Sequence, residues 1–349
     1  MFSALTAALA LAVAVYALPA ARDTGAVQFV GTNIAGFDFG CSIQGACNLT
    51  QAYPPLSALG GPDGAGQMQH FSKDDGMNMF RLPVGWQFLV PSPGSPLDSA
   101  NFAKYDQLVQ ACLATDAYCI IDIHNYARWN NQIIGQGGPT NDQFANVWSQ
   151  LATKYAAQQK IVFGIMNEPH DVPDIDKWAD TVQAAVTAIR AVAAKQMILL
   201  PGNDWTSAQQ MPTKSGPALL KVKNPDGSFD GLIIDVHKYL DSDNSGTHTE
   251  CVTDNISTAF QPLATWLRAN KRQALNTETG GGNTASCAKY LCSQIAFLNA
   301  NSDVFLGYVG WSAGAFSAAT YELSEVPTKN GNTWTDSSLV KACIARKSS

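Results

Sequence analysis

The chain is poor in charged residues, and positive charge is the scarcer kind. Of its 349 residues, 14% are charged, with 22 Lys and Arg against 28 Asp and Glu and a net charge of −6. No run of basic residues occurs, which argues against nucleic acids and anionic membranes as partners. Hydrophobic residues make up 46% of the chain, which is enough for a sizeable core and too much for a disordered protein.

The chain also lacks the short motifs of several protein classes. No GxGxxG follows the first strand-like run, which argues against a dinucleotide-binding sheet. No CxxC, His-x-His or HExxH occurs, so we expect neither a metal site nor a cofactor. No linker rich in Ser, Thr or Pro and no repeat is found, so we expect one domain without a separate binding module.

The N-terminus is one apolar block without a charge, covering residues 1–20. Ala17 and Ala20, near its end, are small residues that suit signal-peptidase cleavage, and no basic stop-transfer flank follows. We therefore predict a signal peptide at 1–20, a mature domain at 21–349, and a secreted, extracellular protein. No later segment is long and apolar enough to span a bilayer, so we expect no membrane association.

An even number of cysteines in an exported chain predicts disulfides. The eight cysteines are Cys41, Cys47, Cys112, Cys119, Cys251, Cys287, Cys292 and Cys343. Their pairing does not follow from the sequence, although short separations favour Cys41 with Cys47 and Cys112 with Cys119. Asn48 and Asn255 each begin a glycosylation sequon and are candidate glycan sites.

Short apolar runs alternate with longer amphipathic stretches along the chain. The strand-like runs are Phe29–Phe37, Met77–Val84, Tyr118–Asn125, Ile161–Asn167, Met197–Gly202, Leu232–Tyr239, Gln273–Glu278 and Phe305–Trp311. The helix-like stretches between them include Phe102–Thr115, Gln143–Gln158, Ile175–Ala194, Phe260–Ala269 and Cys287–Asn299. This alternation predicts parallel strands with crossover helices, and eight units fit a single-domain α/β (β/α)8 TIM barrel better than an open sheet. The fifth crossover, at 203–231, is irregular and shows only a weak helix signal.

Polar residues gather where these strands end, which in such a barrel is the active-site face. They are Arg81 in FRLP, His124 and Asn125 in DIHN, Asn167 and Glu168 in NEP, His237 and Tyr239 in HKY, Glu278 in TET, and Trp311. We interpret Asp122, between two isoleucines, as a structural carboxylate. Glu168 and Glu278 are 110 positions apart. Two carboxyl groups that face each other across one atom are what cleavage of a glycosidic bond requires.

These motifs carry a family resemblance. The chain resembles glycoside hydrolase family 5, and most closely its secreted fungal endo-β-1,4-glucanases, from about Gly31 to Cys343. The matching segments are FRLPVGW, DIHNYARW, GIMNEPH, DVHKYLD, NTETGG and GWSAG, with the opening GTNIAGFDFGC. The resemblance implies a retaining enzyme in which Glu168 is the general acid/base and Glu278 the nucleophile. Its partner would be cellulose, in soluble or amorphous form, or another β-glucan.

The resemblance also implies roles for the supporting residues. Arg81 and Tyr239 would keep Glu278 anionic, and Asn167 would bond the sugar 2-hydroxyl. His124 and His237, with Asn125, would orient these groups or the sugar. Aromatic residues after the strands are candidate cleft walls. They are Trp311 at the cleaved sugar, Trp205 at a neighbouring subsite, and Trp86, Trp129, Phe37 and Phe39.

Three alternatives remain open at this stage. The catalytic motifs are shared across the family, so the substrate could be mannan or a mixed-linkage glucan. A second alternative is a catalytically silent carbohydrate-binding barrel, and the presence of both glutamates argues against it. A metal-dependent barrel hydrolase would need ligand motifs that are missing. We expect a monomer with an activity optimum on the acid side of neutral, because Glu168 must be protonated before each cleavage.

Overall fold

A computed structural model describes residues 25–192 and 195–346, so the predicted signal peptide lies outside the described residues. Eight parallel strands in the described residues close into a barrel. They are β1 Phe29–Ala35, β2 Met79–Val84, β3 Tyr118–Ile123, β4 Ile161–Gly164, β5 Ile198–Pro201, β6 Leu232–His237, β7 Ala274–Thr279 and β8 Phe305–Gly314. Around the barrel they follow the order β1-β8-β7-β6-β5-β4-β3-β2. All eight predicted strands are present, and the TIM barrel is confirmed.

The barrel interior is built in two layers. Its floor is an apolar cluster: Phe29, Met79, Ile120, Val162, Leu199, Ile233, Leu275, Leu306 and Val309. Side chains on a strand alternate between faces, so the residue two positions later points inward again. Two positions after four of these floor residues lie polar ones: Arg81, Asp122, Asp235 and Thr277. An apolar floor therefore supports a polar layer at the C-terminal ends of the strands.

Within the described residues, six longer helices surround the barrel and bury a second, larger core against the strands. They are α1 Gly64–Lys73, α2 Ser99–Leu113, α3 Asn141–Tyr155, α4 Ile175–Ala191, α5 Gln261–Ala269 and α6 Ala285–Ala300. The N-cap of α3 is Thr140, whose side chain accepts from the Gln143 backbone N–H while the Gln143 side chain accepts from the Thr140 N–H. Such reciprocal capping fixes the first turn of a helix. Helix α1 was not predicted from the sequence.

The fifth crossover contains only short helical pieces, as expected from its composition. They are Asn203–Thr206, Met211–Ser215 and Gly216–Leu219. Other short helical turns lie at Leu49–Gln51, Ser57–Leu59, Trp86–Leu89, Ile256–Phe260 and Val340–Ile344. Two small hairpins pair Arg128–Trp129 with Gln132–Ile133, and Thr328–Asn330 with Thr333–Thr335. Among the described residues, none of the helices has the length and apolar character needed to cross a membrane.

All eight cysteines are paired, so the prediction of four disulfides is confirmed. The two local pairs, Cys41–Cys47 and Cys112–Cys119, are those expected from their short separation. The two longer-range pairs are Cys251–Cys287 and Cys292–Cys343. They tie α6 to the loop after β6 and to the C-terminal segment, which restricts the unfolded chain and stabilises the fold.

The two sequons differ in accessibility. Asn48 is exposed and caps a short helical turn with its side chain. Asn255 is 3% exposed, and its Nδ2 donates a 2.8 Å hydrogen bond to the Tyr239 carbonyl. A glycan on that nitrogen would displace this buried contact, so the fold favours Asn48 as the candidate glycan site.

Candidate active site

The carboxylate of Glu278, at the end of β7, is held by two donors inside the barrel mouth. Arg81 Nη1 donates to Oε1 at 2.5 Å and the Tyr239 hydroxyl donates to Oε2 at 2.8 Å. Burial raises the pKa of Glu278, but the positive charges of His237 and Arg81 outweigh this, so the pKa lies below its usual value. The site therefore keeps Glu278 ionised.

Arg81 is the central cation of the polar layer. Besides Glu278, it donates to Asn33 Oδ1 at 3.0 Å and to Asn167 Oδ1 at 2.7 Å. It also forms an ion pair with Asp122 at 3.0 Å. The guanidinium is buried, and a planar fork with five donors suits such a cluster of acceptors. Arg81 thus fixes Glu278 and Asn167 relative to each other.

Glu168 stands on the opposite side of the mouth, four residues beyond the end of β4. Its backbone has a left-handed φ of 40°, which is strained for a residue other than glycine. Its Oε1 lies 2.8 Å from His237 Nδ1. The side chain is 15% exposed. The strained turn thus presents this carboxyl to the opening of the barrel.

A chain of hydrogen bonds runs from Glu168 into the barrel. His237 Nε2 lies 2.9 Å from Thr277 Oγ1, which donates at 2.5 Å to Asp235 Oδ1. Because the Thr277 hydrogen is used on Asp235, its oxygen accepts the Nε2–H of His237. The other ring nitrogen then shares one proton with Glu168. Burial raises the pKa of Asp235 to about 6 despite the charges of His237 and Arg81.

The two glutamates approach each other closely. One carboxylate oxygen of Glu168 and one of Glu278 lie within 4.8 Å, with His237 Nδ1 within the same distance of both. The Nδ2 of Asn167, next to Glu168, is buried and has no hydrogen-bond partner among the described residues. An unused donor therefore stands beside a pair of facing carboxyl groups.

Two aromatic residues lie at the ends of strands next to those that carry the glutamates, Trp311 on β8 and Trp205 after β5. Trp311 stacks on His124, with ring centroids 5.5 Å apart, and its Nε1 donates to the Tyr321 hydroxyl. Trp205, which is 40% exposed, lies parallel to His170 at 4.0 Å. Its backbone is left-handed, with φ 62°. The fifth strand thus ends in a turn that holds an indole out into solvent.

The sequence of the chain matches a known enzyme family and several of its members. A family model for cellulase, glycosyl hydrolase family 5, matches residues 37–317. The chain belongs to glycosyl hydrolase family 5. It is 64% identical over 328 residues to Endoglucanase EG-II of Hypocrea jecorina, covering 92% of this chain and 78% of that protein. It is 47% identical over 305 residues to the Manganese dependent endoglucanase Eg5A of Phanerodontia chrysosporium, covering 86% and 76%.

A solved structure agrees with this family assignment. The crystal structure of Cel5A (EG2) from Hypocrea jecorina superposes with a TM-score of 0.91 at 63% identity. The match covers 93% of this chain and all of that one. The (β/α)8 barrel of this family 5 chain is therefore the fold of its solved relative.

Two of the aromatic residues expected in the cleft lie elsewhere. Trp86 and Phe37 are fully buried in the outer core, so their prediction as cleft walls is wrong. Each lies just beyond a strand end and packs edge-on against buried rings of the outer core. Phe39 and Trp129 remain partly exposed. Trp129 packs edge-on against Trp86.

Asn125 does not reach the mouth. It is fully buried, and its Oδ1 accepts from the Trp86 backbone N–H at 2.6 Å while its Nδ2 donates to Gln87 Oε1 at 2.7 Å. Its amide links the loops after β2 and β3. This position suits a residue that supports the loops around the site and does not suit one that contacts the substrate.

Three further polar residues lie against the predicted site residues. Asp122, read as structural, bridges Arg81 and His124, whose Nδ1 lies 2.8 Å from Asp122 Oδ2. Asp235 and Thr277 extend the His237 chain inward. Strand alternation could have revealed Asp122 and Asp235, since each lies two positions before a histidine already placed at the mouth. Thr277 directly precedes Glu278, and both point inward because the pairing of β7 with β6 shifts register at this position.

Proposed function

We propose that the protein is an endo-β-1,4-glucanase that hydrolyses internal bonds of cellulose and related β-glucans with retention of anomeric configuration. The observation that carries this proposal is the approach of Glu168 and Glu278 oxygens to within 4.8 Å. Retaining enzymes need carboxyl groups about 5–5.5 Å apart, whereas inverting enzymes leave roughly 6.5–9.5 Å for a water. The relatives described above are named endoglucanases, which supports a β-glucan as the substrate.

In the first step Glu278 attacks the anomeric carbon. A carboxylate oxygen of Glu278 forms a bond to that carbon as the bond to the leaving oxygen breaks. Glu168 gives its proton to the leaving oxygen, so the departing chain is a neutral alcohol. Arg81 and Tyr239 hold the attacking group in place, which reduces the motion needed to reach the transition state.

In the second step water releases the sugar. Glu168, now ionised, takes a proton from a water molecule while the water oxygen bonds to the anomeric carbon. The bond to Glu278 breaks and that carboxylate is restored. His237 can take up or return the shared proton, because its Nε2 is fixed on Thr277 and its Nδ1 faces Glu168. Both glutamates therefore return to their starting states.

The remaining groups bind the sugar chain. The unpartnered Nδ2 of Asn167 is suited to donate to a sugar 2-hydroxyl, a contact that strengthens as positive charge develops on the ring. Trp311 and Trp205 offer flat apolar faces to β-linked glucose on either side of the cleaved bond. Two separated platforms fit a chain that continues in both directions, as an endo-acting enzyme requires.

The first test is reducing-end release by the mature protein from carboxymethylcellulose, with galactomannan alongside. We expect release from the cellulose derivative with a rapid fall in viscosity, which marks internal cleavage. Release mainly from galactomannan would keep the two-glutamate mechanism and reject the glucan. Proton NMR of the first product should show the β-anomer, and an α-anomer would reject retention.

We further propose that the enzyme is secreted as a monomer after loss of residues 1–20, with a glycan at Asn48. Mass spectrometry of the protein recovered from a eukaryotic culture medium tests this. A mature N-terminus near residue 21 and a glycopeptide at Asn48, but not at Asn255, are expected. An intact leader or an occupied Asn255 would contradict the proposal. Light scattering should give the mass of one chain.

A further inference from the structure

A second cluster of ionisable side chains lies outside the barrel, beside α1. It consists of His70 on α1, Asp75 just beyond its end, and Asp336, which follows the hairpin of Thr328–Asn330 and Thr333–Thr335. Their side chains are only 5%, 10% and 9% exposed. We call these three residues the α1 cluster. None of them has a hydrogen bond or ion pair to a mouth residue among the contacts of the described residues.

The orientation of His70 leaves one ring nitrogen facing two carboxylates. Nδ1 lies 2.6 Å from Asp74 Oδ2, whose side chain is largely exposed. Nε2 lies 2.7 Å from Asp336 Oδ1 and 3.6 Å from Asp75 Oδ2. A carboxylate that takes the Nδ1–H of a histidine fixes the ring with its Nε2 lone pair free for a metal ion. That lone pair would repel two carboxylates unless a cation lies between them.

Asp75 supplies the independent observation. Its Oδ2 is buried and has no hydrogen-bond partner among the described residues, yet it points toward His70 Nε2. A buried carboxylate oxygen without a donor is costly, because it loses water and gains nothing in return. No lysine or arginine nitrogen in the described ranges lies within 4.0 Å of the Asp75 or Asp336 carboxylates. The negative charge of this pocket is thus not offset by a side chain other than the imidazole.

We propose that His70 Nε2, Asp75 and Asp336 bind a divalent transition-metal ion, with Zn²⁺ preferred, that ties α1 to the segment after the hairpin. Zinc bonds of about 2.0–2.2 Å place tetrahedral ligand atoms roughly 3.3–3.6 Å apart. The 3.6 Å between Nε2 and Asp75 Oδ2 already fits this spacing. Asp336 Oδ1, now 2.7 Å from Nε2, would move away by roughly 0.6–0.9 Å, and water would fill the fourth position.

The ligand set decides which ions fit. An imidazole nitrogen with two carboxylate oxygens suits zinc, whereas Mg²⁺ and Ca²⁺ prefer oxygen ligands in larger number. The ion would link residues 266 positions apart, His70 and Asp336. Since the folded state binds it and the unfolded chain offers no such arrangement, binding raises the stability of the fold. It would leave the chemistry at the mouth unchanged.

The proposal is tested on the mature protein after dialysis against a chelator. At pH 7.5, titration calorimetry with ZnCl₂ should show one site per chain with a Kd below about 10 µM. A free Zn²⁺ concentration about 100 times the Kd should raise the Tm of the protein by about 3 °C. Mg²⁺ at the same concentration should not. Asp75→Asn and Asp336→Asn should each weaken binding at least about tenfold, and Asp74→Asn by about tenfold through the ring orientation.

A matched control separates this site from other groups of similar composition. Asp241, Asp243 and His248 also bring ligand atoms within 4.8 Å of one another, in the loop after β6. Asp243→Asn should leave the zinc affinity unchanged. If Asp75→Asn does not fold, substoichiometric Mn²⁺ in the wild-type protein should broaden the ring-proton NMR signals of His70 before those of His237 or His248.

Two results would overturn the proposal. The first is zinc binding that is absent, or has a Kd above about 10 µM, at pH 7.5. In that case a proton occupies the space between Nε2 and the carboxylates, and the cluster is a charged-histidine link. The second is tight binding that Asp75→Asn and Asp336→Asn leave intact, or Mn²⁺ broadening that begins at another histidine.

Discussion

The two sides of the barrel mouth hold the same kind of side chain in different ways. The Glu278 side chain is 5% exposed and accepts hydrogen bonds from Arg81 and Tyr239. The Glu168 side chain is 15% exposed, and the described residues give it one side-chain partner, His237. The two hydrogen-bond donors keep the Glu278 carboxylate ionised. The proton that Glu168 shares with His237, and its access to water, allow Glu168 to change its protonation state. Two glutamates thus gain different functions from their surroundings.

Removing the fixed carboxylate should have the largest effect. Glu278→Gln keeps the shape of the side chain but cannot form the glycosyl-enzyme, so we expect kcat on carboxymethylcellulose to fall by about 10⁵-fold. Substrates with an activated leaving group should not recover, because their bond still needs a nucleophile. Steady-state assays with 2,4-dinitrophenyl β-cellobioside check this. Residual activity above about 1% on either substrate would contradict the function of Glu278 as the nucleophile.

Glu168→Gln should lose less, and in a manner that depends on the substrate. Without a proton donor, cellulose cleavage should fall by about 10³-fold. Dinitrophenolate leaves without protonation, so the aryl cellobioside should give a fast burst followed by slow turnover, since the water-activating base is also missing. Stopped-flow absorbance measures both phases. A burst as slow as the steady state would mean that Glu168 does not have the donor function.

Arg81→Lys tests what keeps Glu278 ionised. Burial raises the pKa of Glu278, and the charges of His237 and Arg81 lower it below its usual value. A lysine cannot make the forked contacts, so the pKa should rise, and the acid limb of the kcat/KM profile should move to higher pH. We expect kcat/KM at the optimum to fall by roughly 10²-fold.

The control for this variant is another buried arginine. Arg272 is 3% exposed and precedes β7, at the opposite end of the barrel from Glu278. Arg272→Lys should leave the pH profile unchanged. Equal shifts in both variants, or an unmoved acid limb in Arg81→Lys, would show that the arginine at the mouth does not set the charge of Glu278.

The smallest effect is expected at the exposed platform. Trp205→Ala removes a stacking surface away from the reacting atoms, so KM for cellopentaose should rise about fivefold, equivalent to about 1 kcal/mol, with kcat little changed. Phe229→Ala is the matched control, because Phe229 is 39% exposed and precedes β6 at the far end of the barrel. An unchanged KM in Trp205→Ala, or a large fall in kcat, would contradict a binding function.

Much of the fold could be predicted because the barrel is built from short-range patterns. Eight buried strands read as apolar runs, and their ends mark the mouth, so Arg81, Glu168 and Glu278 were found where polar residues interrupt those runs. Helix α1 was missed because Gly64 and Gly66 open it and only a few apolar residues follow. Its start depends on the Asp63 side chain, which accepts from the Gly66 N–H.

What could not be predicted depends on long-range contacts. The burial of Asn255 follows from its bond to the Tyr239 carbonyl, which no sequon reveals. Asn125 next to His124 reads as a mouth residue, yet its side chain turns back to the loop after β2. The α1 cluster joins residues from opposite ends of the chain, so a search for short metal-ligand motifs passes over it.

The most direct test of the central claim is to trap the covalent intermediate and map it. Wild-type enzyme treated with 2,4-dinitrophenyl 2-deoxy-2-fluoro-β-cellobioside should gain the mass of one fluorinated cellobiosyl group, since the fluorine slows both steps and the good leaving group restores the first. Peptide mass spectrometry should place the adduct on Glu278. An adduct on Glu168, or turnover that releases the α-anomer without an adduct, would contradict the division of functions between the two sides of the mouth.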